Sequence, residues 1–274
     1  MDTLENGLLP VPGARLYFEV RGTGPLLLLV PGGASDAEVF GPLADELAAH
    51  YRVVSYDPRG ISRSVLDGPP PEPWLDVQAD DASRLLGHLA GPDGTGRVFG
   101  SCAGGLVALE LMARIPHRIL WAVVHEPPAM GLLPDAERHA AFFEEVYATF
   151  RREGVPAALD RLRVVFGGRP APVLPEATDN SAFFLSHVML PSTRCLPDVR
   201  ALTAVADRVV MAAGRTSRTH DVSRPTAVLA QRLRRELVEF PGGHVGYAKQ
   251  PARFAARLVE LLDGIRPSPT ATRL

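Results

Sequence analysis

The sequence predicts an α/β protein: a mostly parallel sheet flanked by helices, with a helical insertion. Three observations predict it. Short apolar runs alternate with segments of helical spacing. One run, Leu26–Val30, is apolar throughout, as a strand buried on both faces requires. Glycine-rich turns directly follow three of the runs, at the strand ends where open parallel sheets bind ligands.

The elements follow in order. Residues 15–20 alternate like an exposed strand, and residues 26–30 form the buried one. Residues 37–49 place Phe40, Leu43, Leu47 and Ala48 at helical spacing. Residues 51–56 are a strand, 67–73 a proline-rich loop and 76–89 a helix. Residues 97–99 are a short strand, 104–114 a helix and 118–125 a strand. From about 127 to 206 the pattern turns helical, over 136–152, 156–165 and 182–190, with loop-rich sequence between. The sheet resumes at 208–213, followed by a helix at 225–233, a strand at 236–240 and a closing helix at 252–262. Residues 266–274 read as a loose tail. The expected division is a core of residues 1–126 and 207–274 and a helical lid insertion of residues 127–206.

Composition narrows the function classes. A chain of 274 residues, 46% hydrophobic and 22% charged, suits one domain with a large core and an inserted subdomain. The formal net charge of −2 supplies no whole-chain attraction to nucleic acid or an anionic membrane. Lys249 is the only lysine. The arginines are scattered among acids, which reads as the bias of a GC-rich bacterial genome rather than as a binding surface. Two cysteines, Cys102 and Cys195, make no disulfide framework. The first residues carry acids and no apolar signal core, and no stretch approaches the ~18 to 20 apolar residues of a membrane span. The expectation is a soluble cytoplasmic protein in which a free thiol stays reduced.

The chemistry concentrates at three strand ends. Residues 98–105 read Val-Phe-Gly-Ser-Cys-Ala-Gly-Gly. Gly100, Cys102 and Gly104 fit G-x-nucleophile-x-G, a sharp turn that lifts one side chain off a strand end at the start of a helix. Ser101 does not fit, because Phe99 and Ala103 flank it at the required spacing. Pro31-Gly32-Gly33 follows the buried strand, and Pro241-Gly242-Gly243-His244 follows residues 236–240. Each feature alone is weak, since glycine pairs are often only turns and a lone histidine is often structural. Their order and joint position are stronger. No cluster has metal-ligand spacing, and the glycine turns lack the Lys-Ser/Thr of a phosphate-binding loop.

With these residues the chain resembles the α/β-hydrolase fold family. Tyr56-Asp57-Pro58-Arg59-Gly60-Ile61-Ser62-Arg63-Ser64 is similar to that family's D-x-R-G-x-x-x-S loop. Residues 100–116, with Ala108, Leu109, Glu110, Leu111 and Arg114, resemble its elbow helix, and residues 240–244 its histidine loop. The resemblance spans roughly residues 15–262, with the insertion in the lid position. It implies Cys102 as nucleophile, His244 as general base and then acid, and an oxyanion hole from the backbone N–H of Ala103 and of Gly33. A thiolate is nucleophilic where a thiol is not, and a helix N-terminus favours the thiolate. Where the family often carries a histidine before the first loop glycine, this chain has Pro31.

The third member of the triad has two candidates. The resemblance places an acid after the strand at 208–213, but Gly214-Arg215-Thr216-Ser217 holds no carboxylate and Asp221 comes late. Glu126, at the end of the strand at 118–125, is favoured, because some members of the fold carry the acid there. Either acid has a plainer reading as a loop carboxylate. His125 is expected to pack or to line the site, Asp57 and Arg59 to brace their loop against each other, and His187 to lie on the surface of a helix that buries Phe183 and Phe184.

The expected activity is hydrolysis of an ester, lactone or thioester of a small-molecule substrate through an acyl-enzyme, with no cofactor. Because a thioester readily acylates amines and thiols, an acyltransferase or cyclase is the alternative. A non-catalytic small-molecule binder, or an introduced Ser-to-Cys change, would also explain the thiol; the retained glycines and His244 speak against lost catalysis. Phe142, Phe143, Phe183, Phe184, Met189 and Leu190 either line an apolar cavity or glue the lid to the core. The expected substrate is uncharged or weakly polar and of medium size.

Overall fold

A computed structural model describes residues 4–91, 93–166 and 177–264. Eight strands form one sheet: β1 (Glu5–Val11), β2 (Ala14–Arg21), β3 (Leu26–Val30), β4 (Arg52–Tyr56), β5 (Gly96–Ser101), β6 (Ile119–His125), β7 (Val209–Gly214) and β8 (Leu237–Phe240). Their spatial order is β1-β2-β4-β3-β5-β6-β7-β8. β1 pairs antiparallel with β2 and β2 antiparallel with β4; the other pairings are parallel. The Cys102 turn and the two glycine loops therefore emerge from one edge of the sheet.

β3 is buried at every position. Leu26, Leu28 and Val30 pack on one face, against Leu85 and Leu86 of α2 (Trp74–Ala90) and Leu106 and Leu109 of α3 (Ala103–Arg114). Leu27 and Leu29 pack on the other, against Leu43 and Leu47 of α1 (Gly41–Leu47). This doubly covered strand is what a continuous apolar run encodes.

The insertion lies between β6 and β7. It holds α4 (Ala136–Glu153), α5 (Val155–Leu162), α6 (Ala177–Phe183), α7 (Met189–Arg194) and α8 (Val199–Thr203). Its own apolar cluster joins Phe143, Val146, Ala158, Leu162, Phe184, Leu185, Val188 and Met189 to Ala103, the residue after the elbow cysteine. The chain then completes the core with α9 (Arg224–Arg232), α10 (Gly246–Lys249) and α11 (Pro251–Gly264).

Several elements differ from expectation. β1 was not anticipated: it is a half-exposed edge strand, joined to β2 through Pro12-Gly13 with Gly13 at φ 77°. The helix expected at 37–49 is a 3₁₀ turn, Ala37–Phe40, followed by α1. The helix expected at 182–190 is interrupted by a π-helical turn, Phe184–Val188, between α6 and α7. α8, after that segment, has no counterpart among the expected elements. The tail expected at 266–274 lies outside the described residues. Among the described residues, no helix is long and apolar enough to cross a membrane.

Candidate active site

Cys102 sits between the end of β5 and the first residue of α3, at φ 54° and ψ −126°. That backbone is uncommon for a residue with a side chain, and surrounding structure has to hold it. One hold is local: the Cys102 amide donates to the His125 carbonyl at 2.9 Å. The other is close packing of glycine backbone. A Cβ on Gly100 would strike the Gly104 backbone, and one on Gly104 would strike the carbonyls of Val30 and Pro31. A Cβ on Gly32 would come within 2.7 Å of both the Ala103 nitrogen and Cys102 Cβ. The turn after β3 and the elbow therefore touch backbone to backbone. Gly33, at φ 65°, follows in a conformation that favours glycine. The Ala103 N–H belongs to the first turn of α3, where helices leave amides without an internal acceptor.

His244 faces this elbow. Its Nδ1 lies 2.7 Å from Glu126 Oε2, and the same ring is hydrogen-bonded to the Cys102 side chain. With Nδ1 committed to Glu126, Nε2 is left for the sulfur. Glu126 is fully buried at the end of β6, and its other oxygen accepts the Gly214 N–H at 2.8 Å. Burial pushes the Glu126 carboxyl up, but the hydrogen bond from His244 and the neighbouring imidazoles outweigh it and hold the group down at about 2. Burial likewise pulls His244 down, but the bonds and charges of Cys102 and Glu126 overcome it and push the imidazole up to about 10. The arrangement thus favours the charged form of the imidazole.

Asp221 does not join this group. It pairs with Arg224 at 3.2 Å and with Arg138 at 3.2 Å, on the insertion side of the core. The segment where the resemblance placed an acid has another use: Gly214 packs so closely on Gly243 that a Cβ would fall 2.5 Å from the Gly243 Cα. The Thr216 amide donates to the Gly242 carbonyl at 2.9 Å, so this segment seats the histidine loop.

Other candidates resolve by their partners. Ser101 is buried beneath the elbow, its Oγ 3.1 Å from His125 Nδ1 and hydrogen-bonded to Tyr247. His125 is fully buried among the rings of Phe99, Phe240, Tyr247 and Phe254, and burial pulls its imidazole down to about 4. Its Nε2 has no hydrogen-bond partner. Asp57 and Arg59 do not brace each other. Asp57 takes Arg63 Nε at 2.8 Å and the Ala37 amide at 2.9 Å, while Arg59 Nε bonds Asp81 at 2.6 Å on α2. His187 is exposed, 5.0 Å from the Phe183 ring. Two residues escaped sequence reasoning. Phe166 of the insertion stacks 4.8 Å from the His244 ring, and Asn180 of α6 bonds Ser62 twice. Neither has a local sequence signal. Among the described residues, no group of three or more His, Cys, Asp or Glu could hold a metal ion.

Comparison with known proteins places this geometry. Residues 27–257 match the Alpha/beta hydrolase family. The chain is 35% identical over 267 residues to the uncharacterized hydrolase YraK of Bacillus subtilis, covering 95% of this chain and 97% of that one. It is 25% identical over 266 residues to a zearalenone hydrolase of Cladophialophora bantiana, covering 94% and 97%. In structure it is similar to a thermophilic esterase from Thermogutta terrifontis, with a TM-score of 0.74 at 22% identity over 96% of this chain and 98% of that one, a likeness of fold. The chain belongs to the alpha/beta hydrolase family and is a hydrolase.

Proposed function

We propose that the protein cleaves an ester, lactone or thioester of an uncharged, medium-sized small molecule through a covalent thioester on Cys102. The observation that carries this reading is the hydrogen-bonded line from Glu126 through His244 to the elbow sulfur. In this reading the thiol proton already rests on His244 Nε2, and the electron pair of the Sγ thiolate forms a bond to the substrate carbonyl carbon. The carbonyl π pair moves to oxygen, where the amides of Gly33 and Ala103 receive the negative charge. Collapse breaks the bond to the leaving group, which departs with the proton from His244. Water then attacks the thioester, giving its proton to His244; the C–S bond breaks and the thiolate is restored. In a lactone the released alcohol stays on the acid product. Glu126 orients the imidazole and stabilises its charged form.

The apolar cluster that joins the insertion to Ala103 supports an apolar substrate and a lid role for residues 127–206. The similarity to a protein named zearalenone hydrolase is compatible with a ring ester. A second reading, acyl transfer, is favoured by the sulfur alone, because a thioester acylates amines more readily than an oxygen ester does. Short-chain nitrophenyl esters test both. The expected result is an acyl adduct on Cys102 by intact mass and peptide mapping, absent in Cys102→Ala and not formed by His244→Ala. Undiminished turnover by Cys102→Ala would overturn the reading. Added hydroxylamine that diverts most of the product to hydroxamate would favour transfer over hydrolysis.

A further inference from the structure

Among the described residues, Phe166 is the one of the insertion whose ring packs on that of His244. Two short turns after α5 bring it there: the Val165 amide donates to the Leu162 carbonyl at 3.1 Å and the Phe166 amide to the Arg163 carbonyl at 3.2 Å. The two rings lie 4.8 Å apart between centroids and are tilted by 36°. Phe166 also packs on the insertion's own apolar cluster, so its position follows that of the insertion. The His244 side chain retains only 11% of its surface.

Building on the Cys102–His244 pair proposed above, we infer that Phe166 is a positioning residue whose ring face holds His244 in the charged form and so keeps Cys102 a thiolate. An aromatic face attracts a cation within about 6 Å, and most strongly where water is excluded. The titratable groups around His244 make that extra attraction matter. Cys102 on the elbow and Glu126 at the end of β6 favour its charge, while burial opposes it. His125, also on β6, lies 6.3 Å away by ring centroid and is kept neutral by its own burial. Tyr247 of α10 has its phenol pushed up, by its burial first and by the neighbouring Cys102 and Glu126 second, and stays neutral. Phe166 adds a contribution from the insertion. A seated insertion therefore coincides with an armed nucleophile, and a lifted one leaves the imidazole to water.

Alkylation of the full-length protein by iodoacetamide tests this without a substrate. The rate at Cys102, followed by peptide mapping, is compared at about pH 6 and about pH 10; at the higher pH a thiol ionises unaided. The ratio of the two rates cancels any change in access. Phe166→Leu is expected to lower that ratio roughly three- to tenfold, and Phe166→Trp, which keeps an aromatic face, to preserve it. An unchanged ratio in Phe166→Leu overturns the role of Phe166 while leaving the catalytic pair intact. A Trp variant that falls as far as the Leu variant overturns it too, because packing rather than the ring face would then be at work. If the unmodified protein itself follows the curve of a free thiol, the Cys102–His244 pair fails, and the role of Phe166 fails with it.

Discussion

Glu126 carries an unusual set of constraints for one residue. It is fully buried, sits at φ 47° and still holds a charge. The strain is offset because its amide donates to the Ala212 carbonyl at 3.1 Å while each carboxylate oxygen has its own donor. An amide in its place would keep the shape and lose the charge that stabilises the imidazolium. Glu126→Gln is expected to lower kcat for nitrophenyl ester hydrolysis on the order of a thousandfold, with Asp221→Asn near unmodified activity. Equal losses in the two variants would remove Glu126 from its proposed role. His125, its neighbour, predicts a pH dependence of stability. Folded, it titrates at about 4, against an ordinary 6.5. Between those values the unfolded chain binds the proton first, so the stability His125 contributes is complete above pH 6.5 and is lost as the pH falls towards 4. Glu126, held at about 2 against an ordinary 4.5, extends the loss below pH 4.5. His244 runs the other way: its contribution is full below pH 6.5 and disappears as the pH rises through about 10. His125→Phe, which keeps a ring in the aromatic shell, is expected to flatten Tm against pH between 6.5 and 4. An identical slope in thermal melts would show that another group controls that window.

Elements decide where these residues meet. The elbow works because three glycines let β3, its following turn and α3 approach through bare backbone. Gly32→Ala would push a methyl against the Ala103 amide, the site proposed for the oxyanion. The expected result is a fall in kcat of about a hundredfold, as when one oxyanion donor is lost, with a smaller change in KM. A variant that loses stability but keeps kcat per folded molecule would refute that placement. This elbow was legible in sequence because its constraint is short-range: close approach demands glycine at fixed spacing from Cys102. β3 was legible because both of its faces are covered. β1 was not, since its inward positions are Gly7, Leu9 and Val11 while apolar Leu8 faces out, so the sequence shows no polar–apolar alternation. The π-helical turn at Phe184–Val188 was hidden because the spacing of its residues reads as plain helix. Asp57 and Arg59, adjacent in one motif, part company because Asp81 and Arg63 offer each a better-aligned partner. Partners of that kind, and the stacking of Phe166, depend on chain segments brought together only by folding.

On the scale of the molecule, two polar points among the described residues fasten the insertion to the core. One joins the start of α4 to α9: Asp135 pairs with Arg224 at 2.7 Å, and buried His139 lies 3.4 Å from the same carboxylate. The other joins α6 to the turns after β3 and β4. Asn180 Oδ1 accepts the Ser62 amide at 2.8 Å, its Nδ2 donates to Ser62 Oγ at 2.8 Å, and that hydroxyl donates to Asp36 at 2.6 Å. Asn180 and Asp36 are both buried, so neither has water to fall back on. Ser62 is held at φ 45°, a conformation that these bonds help to maintain. Asn180→Ala removes both bonds to Ser62 and leaves the core strands untouched. Opening of α6 and α7 is then expected to become easier than global unfolding. Amide hydrogen exchange should quicken in residues 177–194 about tenfold or more, while β3 and β5 exchange as before; a buried hydrogen bond of ~1 to 2 kcal/mol implies a change of that order. Activity should shift with it, rising for bulky nitrophenyl esters relative to acetate. If exchange quickens equally in α6 and in β3, the insertion does not open as a separate unit, and its proposed action as a lid would have to be abandoned.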